Sequence, residues 1–147
     1  MTEIATPVHL ERDGDVAVVV LDNPPLNLFD PATFNALENV AAEHVALTDP
    51  EHSGRARAVL VEARGKVVSG GVDVSLFQAI ADDQEAVQRA GTLWARLLRV
   101  VQTLEELPVP TVFAAHGLTL TASFEIALAC DILLAAVPPR LAARIVA

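Results

Sequence analysis

The sequence predicts an α/β domain in which most neighbouring strands run parallel. Apolar runs of strand length alternate with longer stretches of helical periodicity, in the order ββ, α, β, α, β, α, β, and this alternation is typical of a sheet covered by helices. The 147 residues are expected to form one domain, since a chain of this length buries roughly 68–70% of its unfolded surface. The chain is 52% hydrophobic, with a mean hydropathy of +0.43 and no Tyr, so aliphatic side chains must fill its core.

The chain is predicted to open with a β-hairpin followed by a helix. Apolar residues 8–10 and 16–21 flank a turn that contains Asp13-Gly14, a dipeptide typical of hairpins. The segment NPPLNLFDP then interrupts regular structure, and Asp30 before a proline matches an N-cap residue with proline in the first helical turn. We therefore expect a helix over residues 31–47.

Further strands and helices are predicted to alternate along the rest of the chain. Residues 58–63 (AVLVEA) are expected to form a buried strand. Residues 83–107 are expected to form a helix, because apolar residues recur at the spacing of one helix face: Val87, Ala90, Trp94, Leu97, Leu98, Val101 and Leu104. Prolines then end this helix, and we expect a strand over residues 111–115, a helix over 123–129 and a strand over 132–136.

Charge and cysteine content exclude several classes of function. The formal net charge of -9 repels nucleic acids and anionic membranes, so neither is an expected partner. Cys130 is the only cysteine and the histidines lack metal-ligand spacing, so we expect no disulfide and no metal. The N-terminal residues lack the basic region of a signal peptide, and His116, Glu125 and Asp131 interrupt the longest apolar stretch. We therefore expect a cytoplasmic protein with no membrane span.

Two short segments could carry chemistry. The run Ser69-Gly70-Gly71-Val72-Asp73 follows a predicted strand, and its glycines allow backbone N–H groups to approach a ligand, although a tight turn explains the same residues. Glu125 lies between Phe124 and Ile126 in an apolar run. A buried carboxyl group suits proton transfer near neutral pH, whereas a carboxyl group on the exposed side of an amphipathic helix has no such role. The residues alone leave these alternatives open.

Both segments resemble those of a known enzyme family. Residues 66–77 (KVVSGGVDVSLF) are similar to the F-S-A-G-A-D-(I/L/V) segment of the enoyl-CoA hydratase/isomerase (crotonase) family. Residues 116–131 (HGLTLTASFEIALACD) resemble its H/N-G-x-A-x-G-G-G-x-E-L-A-L-A-C-D segment, and VAVVVLDNPPLNLFD and LPVPTVFAAHG also match in the family's order. The resemblance covers about residues 8–136 and implies a ClpP/crotonase-like fold, a spiral of ββα units.

The resemblance implies an acyl-CoA thioester as substrate, with coenzyme A as part of that substrate and no separate cofactor. In this family two backbone N–H groups form an oxyanion hole that stabilises the enolate formed from the thioester. The family pattern places these donors at Val72 and Ala122 and the first catalytic glutamate at Glu125. It also implies a trimeric or hexameric homo-oligomer that acts in fatty acid metabolism. The implied substrate-binding residues are Leu26, Leu28, Gly70, Gly71, Asp73 and Val74.

Two departures from the family pattern bear on the expected activity. Thr121-Ala122-Ser123 stands where the family has three glycines, so each residue adds a Cβ atom beside the thioester. Residues 137–147 depart from the family, and no acidic residue follows Asp131 as the second catalytic glutamate. The resemblance therefore implies an N-terminal portion of the domain, truncated near Ala136, that hydrates or isomerises an enoyl-CoA. The alternatives are an inactive acyl-CoA binder, an assembly subunit, or a fragment that does not fold alone.

Overall fold

The computed structural model describes residues 6–82, 84–136 and 141–142. Asp83, where the long helix was predicted to begin, and most of the C-terminal segment 137–147 lie outside the described residues. In chain order the elements are β1 (Val8–Asp13), β2 (Val16–Leu21), α1 (Pro31–Thr48), β3 (Ala58–Ala63), α2 (Val74–Asp82), α3 (Gln84–Glu105), β4 (Thr111–Ala115), β5 (Thr119–Leu120), α4 (Ala122–Ala129), β6 (Ile132–Ala135) and β7 (Leu141–Ala142).

A five-stranded sheet in the order β1-β2-β3-β4-β6 forms the centre of the fold. β1 and β2 form the predicted antiparallel hairpin, in which Val8 pairs with Leu21 and Asp13 pairs with Val16. The pairs β2–β3, β3–β4 and β4–β6 are all parallel. The predicted α/β class with mostly parallel strands is therefore confirmed. β5 and β7 form a separate parallel pair.

The first helix begins where the sequence predicted its cap. The Asp30 carboxylate accepts a hydrogen bond of 2.7 Å from the Thr33 N–H, which satisfies a backbone donor that has no partner within the helix. α1 packs against β1 and α3. Glu38 on α1 binds Arg96 at 2.7 Å and Arg99 at 3.1 Å on α3, but partly exposed ion pairs contribute little, so apolar burial holds the two helices together.

The structure adds three elements that the sequence did not predict, namely α2, β5 and β7. α2 begins after Asp73, whose side chain accepts a hydrogen bond of 2.9 Å from the Ser75 N–H, and its residues Leu76 and Phe77 pack on the core. β5 contains only two residues. The predicted bounds of β3 and β4 are confirmed, while those of α1, α4 and β6 differ by one residue at one end.

The core is aliphatic with three buried phenylalanines, as the composition indicated. The largest fully buried side chains include Phe29, Phe34, Phe113, Leu21, Leu97 and Ile126. β6 lies at one edge of the sheet, opposite the β1 edge, and all four of its residues are exposed. Within the described parts of the chain, no helix has both the length and the apolar character that a membrane crossing needs.

Candidate functional site

The segment that follows β3 lies against the loop that follows β2. Phe29 and Val72 form an isolated parallel bridge. The Phe29 N–H donates to the Gly71 carbonyl oxygen at 2.9 Å, and the Asp73 N–H donates to the Phe29 carbonyl oxygen at 3.1 Å. Two predicted site segments that are distant in sequence are therefore neighbours in the fold.

Leu26 and Leu28 lie against Gly70. The Gly70 N–H donates to the Leu26 carbonyl oxygen at 2.8 Å. A Cβ atom at Gly70 would lie 3.1 Å from Leu28 Cδ2 and at an ordinary contact distance of 3.5 Å from Leu26 Cβ, so glycine lets Leu28 approach this backbone closely. Leu26 is exposed, and Val74, the first residue of α2, is 67% exposed. Two of the predicted groove residues, Leu26 and Val74, therefore offer accessible apolar surface.

Thr121 contacts the backbone of the glycine segment. The Val72 N–H donates a hydrogen bond of 3.2 Å to Thr121 Oγ1. Gly71 has a φ of +97°, and a Cβ atom there would lie 2.7 Å from the same Oγ1 atom. Both the backbone conformation at position 71 and the approach of the Thr121 hydroxyl therefore favour glycine there.

α4, the helix that carries the second predicted donor and the glutamate, begins next to this contact. Thr121 immediately precedes α4 and has a φ of +47° and a ψ of -115°, a conformation that β-branched residues rarely adopt. Thr121 is thus the residue with a positive φ at the start of α4. Ala122, the first residue of the helix, is buried. The Thr121 hydroxyl therefore accepts a hydrogen bond from the Val72 N–H, and Ala122 is the next residue along the chain.

Glu125 lies one turn along α4 from Ala122. The Glu125 side chain is half-buried, so it lies between the buried and the exposed position that the sequence left open. Ile126 beside it is fully buried. The Glu125 N–H donates to the Thr121 carbonyl oxygen at 2.9 Å, which closes the first turn of the helix. The positive end of the helix dipole therefore lies at the Thr121–Ala122 end of the site.

Asn27 holds the loop of Leu26 and Leu28 in place, a role that the sequence analysis missed. Asn27 is buried with a φ of +49°. Its side-chain Nδ2 donates to the carbonyl oxygens of Arg64 at 2.9 Å and Val67 at 3.1 Å, and its Oδ1 accepts from the Asn23 N–H at 2.7 Å. The only sequence signal was the position of Asn27 in the loop segment that resembles the family turn.

Ser69 connects this loop to the glycine segment. Its hydroxyl donates to the Asn27 carbonyl oxygen at 2.6 Å and accepts from the Gly71 N–H at 2.9 Å. Ser69 is fully buried, so both bonds are shielded from water. The serine therefore fixes the conformation of the backbone that leads to Val72.

Several other candidate groups lie apart from this site. An apolar cleft of about 320 Å³ lies between α2, α3 and the start of α1, but no predicted site residue lines it. Burial raises the pKa of the Cys130 thiol to about 11, so this cysteine is a poor nucleophile. His116 is exposed and its Nε2 lies 3.0 Å from the Gly65 carbonyl oxygen. The described residues contain no cluster of side chains suited to a metal ion.

Comparison with known proteins identifies the family. Residues 11–145 match the enoyl-CoA hydratase/isomerase family, a range that continues beyond residue 136. A cyclohexa-1,5-dienecarbonyl-CoA hydratase of Thauera aromatica is 30% identical over 138 residues, which are 92% of this chain and 48% of that protein. A short-chain-enoyl-CoA hydratase of Clostridium acetobutylicum is 29% identical over 130 residues, 87% of this chain and 46% of that protein.

Solved structures show the same fold. The structure of Pseudomonas aeruginosa PA4980 superposes with a TM-score of 0.77 at 25% identity, over 96% of this chain and 57% of that one. The crotonase-like α/β fold expected from the sequence is therefore confirmed. The chain spans about half the length of the curated relatives that it matches. Since the family match covers most of its residues, the chain belongs to the enoyl-CoA hydratase/isomerase family.

Proposed function

We propose that this chain binds an acyl-CoA thioester and stabilises the enolate form of that thioester. The thioester oxygen is held by the N–H groups of Val72 and Ala122, and Glu125 transfers the proton. One observation carries this proposal: the Val72 N–H reaches the side chain of Thr121, the residue directly before Ala122. Through this contact the Val72 N–H lies beside the start of α4, the helix that carries Ala122 and Glu125, which supports the proposal.

The proposed reaction depends on stabilising the negative charge that develops on the thioester carbonyl oxygen. Removing a proton next to a thioester carbonyl places negative charge on the carbonyl oxygen, and fixed N–H groups stabilise that charge more than the neutral ground state. The N-terminal end of α4 adds a favourable dipole. A single carboxylate such as Glu125 can remove a proton from one carbon and return it to another, which isomerises an enoyl-CoA. Hydration requires in addition that a water molecule be activated.

The substrate groove is formed by the residues that meet around Gly70. Leu26 and Leu28 contact the position of its missing Cβ, and Val74 is accessible at the start of α2. We propose that these apolar surfaces border the pantetheine and adenine groups of coenzyme A. Gly71 and Asp73 support this groove through their backbone bonds to Phe29. The Asp73 carboxylate caps α2 and is therefore assigned no proton transfer.

Glu125→Gln tests the proposal. With crotonyl-CoA, loss of the enoyl absorbance reports hydration, and with a β,γ-enoyl-CoA a gain of that absorbance reports isomerisation. We expect turnover by the unmodified chain and a loss of about 10²- to 10⁴-fold in Glu125→Gln. Glu106→Gln, at an exposed position after α3, is the matched control and should retain full activity. Equal rates for the chain and Glu125→Gln would remove Glu125 from the mechanism.

An assembly role is the second proposal, favoured by exposed apolar side chains on α4 and β6. Leu128 is 64% exposed, Ile132 47% and Leu134 58%. Exposed apolar patches of this kind commonly mark protein interfaces, so we propose that this face contacts other copies of the chain in a trimer or hexamer. Sedimentation of the protein and of Leu128→Lys tests this: the chain should sediment as an oligomer and the variant as a monomer. A monomeric chain would exclude the assembly.

A further inference from the structure

We infer that the Thr121 hydroxyl occupies the place of the thioester oxygen at the Val72 N–H and thereby lowers the affinity of the site for acyl-CoA. This inference rests on the proposed function, because it assumes that Val72 is an oxyanion donor. It adds that the Thr121 side chain of the chain itself covers the Val72 donor. A ligand must displace that hydroxyl before its carbonyl oxygen can bind.

The Thr121 side chain packs against the backbone at Gly71 and Val72. Thr121 Oγ1 lies 3.2 Å from the Val72 nitrogen and 2.7 Å from the position that a Gly71 Cβ would take. The hydroxyl therefore packs directly on the strand of backbone that carries the donor. The missing Cβ at Gly71 provides the space for it.

The conformation of Thr121 supports a specific role for its side chain. Its φ of +47° is unfavourable for a β-branched residue, whereas glycine adopts it without strain. The Thr121 side chain makes no capping hydrogen bond to the N–H groups of α4. The interaction that it does make is with the Val72 N–H.

The hydrogen bond between the Val72 N–H and Thr121 determines whether the hydroxyl raises or lowers the affinity for acyl-CoA. The Val72 N–H has one proton, so a hydrogen bond to Thr121 and a hydrogen bond to a thioester oxygen compete for it. Removing the hydroxyl should strengthen acyl-CoA binding about five- to tenfold, the factor that corresponds to a typical net hydrogen bond. A hydroxyl that instead donated its own proton to the thioester would have the opposite effect.

The experiment compares Thr121→Ala, Thr121→Gly and Thr121→Ser by calorimetric titration with butyryl-CoA, a saturated thioester that cannot be hydrated. Ala and Gly remove the hydroxyl, and Gly also accepts the positive φ, so it remains informative if Thr121→Ala folds poorly. Ser retains the hydroxyl and is the matched control. Heteronuclear NMR of hydrogen exchange at the Val72 amide measures the contact without any ligand.

We expect tighter binding in Thr121→Ala and Thr121→Gly, unchanged affinity in Thr121→Ser, and faster exchange of the Val72 amide only where the hydroxyl is missing. If the unmodified chain binds butyryl-CoA and both hydroxyl-free variants bind it equally or more weakly, the inference is wrong and the proposed function stands. If neither the chain nor any variant binds butyryl-CoA, the proposed function fails and the inference fails with it.

Discussion

Asp131 and Thr111 are joined by three hydrogen bonds that connect the end of α4 to the start of β4. Asp131 Oδ2 accepts from the Thr111 N–H and from the Thr111 hydroxyl, both at 2.8 Å, and the Asp131 N–H donates to the Thr111 Oγ1 at 2.9 Å. These bonds lower the pKa of the Asp131 carboxyl group, the backbone bond contributing most. The last residue of the family motif ALACD is therefore structural, since it sets where β6 joins the sheet.

Thr111→Val should destabilise the fold by about 1–2 kcal/mol, because valine keeps the volume but removes the hydroxyl that both donates and accepts. Denaturant unfolding measures this change. Thr92→Val, at an exposed position on α3, is the matched control and should stay within about 0.5 kcal/mol. An equal effect of both substitutions would mean that the Thr111 hydroxyl does not hold β4 to the Asp131 turn.

Asn27 should be among the least tolerant positions of the loop after β2. Asn27→Asp replaces two N–H donors by an acceptor that faces the carbonyl oxygens of Arg64 and Val67. Because the new carboxylate is also buried, Asn27→Asp should lower the free energy of unfolding by about 3 kcal/mol or more. Asn27→Ala should lower it by about 2 kcal/mol. Thermal unfolding of both variants tests the order. Asn39→Ala, exposed on α1, is the control and should be neutral or slightly stabilising. The reverse order for the two Asn27 variants would contradict the assigned amide orientation.

The fold could be predicted from the sequence because its main signals are local. The apolar runs of β3 and β4 gave the observed bounds, and the Asp30 cap marked the start of α1. α2 was missed because it is short and directly follows the glycine segment, which was interpreted as a turn or a ligand loop. β5 was missed because two residues carry no periodicity, and its pairing exists only through tertiary contact.

The candidate site was predictable only in part. Motif positions predicted Val72, Ala122 and Glu125, and in the structure the Val72 N–H contacts Thr121, the residue before Ala122. The occupation of the Val72 N–H by Thr121 could not be predicted, because it depends on a positive φ at Thr121 and on a rotamer. The bonds of Asn27 were hidden for a related reason, since their acceptors come from a segment roughly forty residues away.

His44 should make the fold sensitive to acid. It is 1% exposed, and its Nε2 has no hydrogen-bond partner among the described residues. Burial lowers the pKa of His44 from 6.5 to about 4, so the unfolded chain binds a proton at a higher pH than the folded chain does. Stability is therefore full above pH 6.5 and falls as the pH drops from 6.5 to about 4, by about 3 kcal/mol in total.

The variants His44→Leu and His44→Gln test this dependence, because each removes the titrating group. Both should flatten the stability profile between pH 6.5 and 4, measured by denaturant unfolding at a series of pH values. Only His44→Leu should also be more stable at neutral pH, by about 1 kcal/mol, because it removes a buried polar atom. A slope that persisted in both variants would assign the acid sensitivity to other groups.

Gly71→Ala should damage both the fold and the site, for two separable reasons. Its φ of +97° disfavours any side chain, and the new Cβ would lie 2.7 Å from Thr121 Oγ1, so we expect a loss of about 2–4 kcal/mol. The double variant with Thr121→Gly removes the clash but keeps the backbone strain at position 71. It should therefore be about 1 kcal/mol more stable than the sum of the two single effects predicts. Gly91→Ala on α3, where nothing lies within 4 Å of the new Cβ, should instead stabilise by about 0.5–1 kcal/mol. Strict additivity of the Gly71 and Thr121 substitutions, measured by denaturant unfolding, would mean that their side chains do not meet.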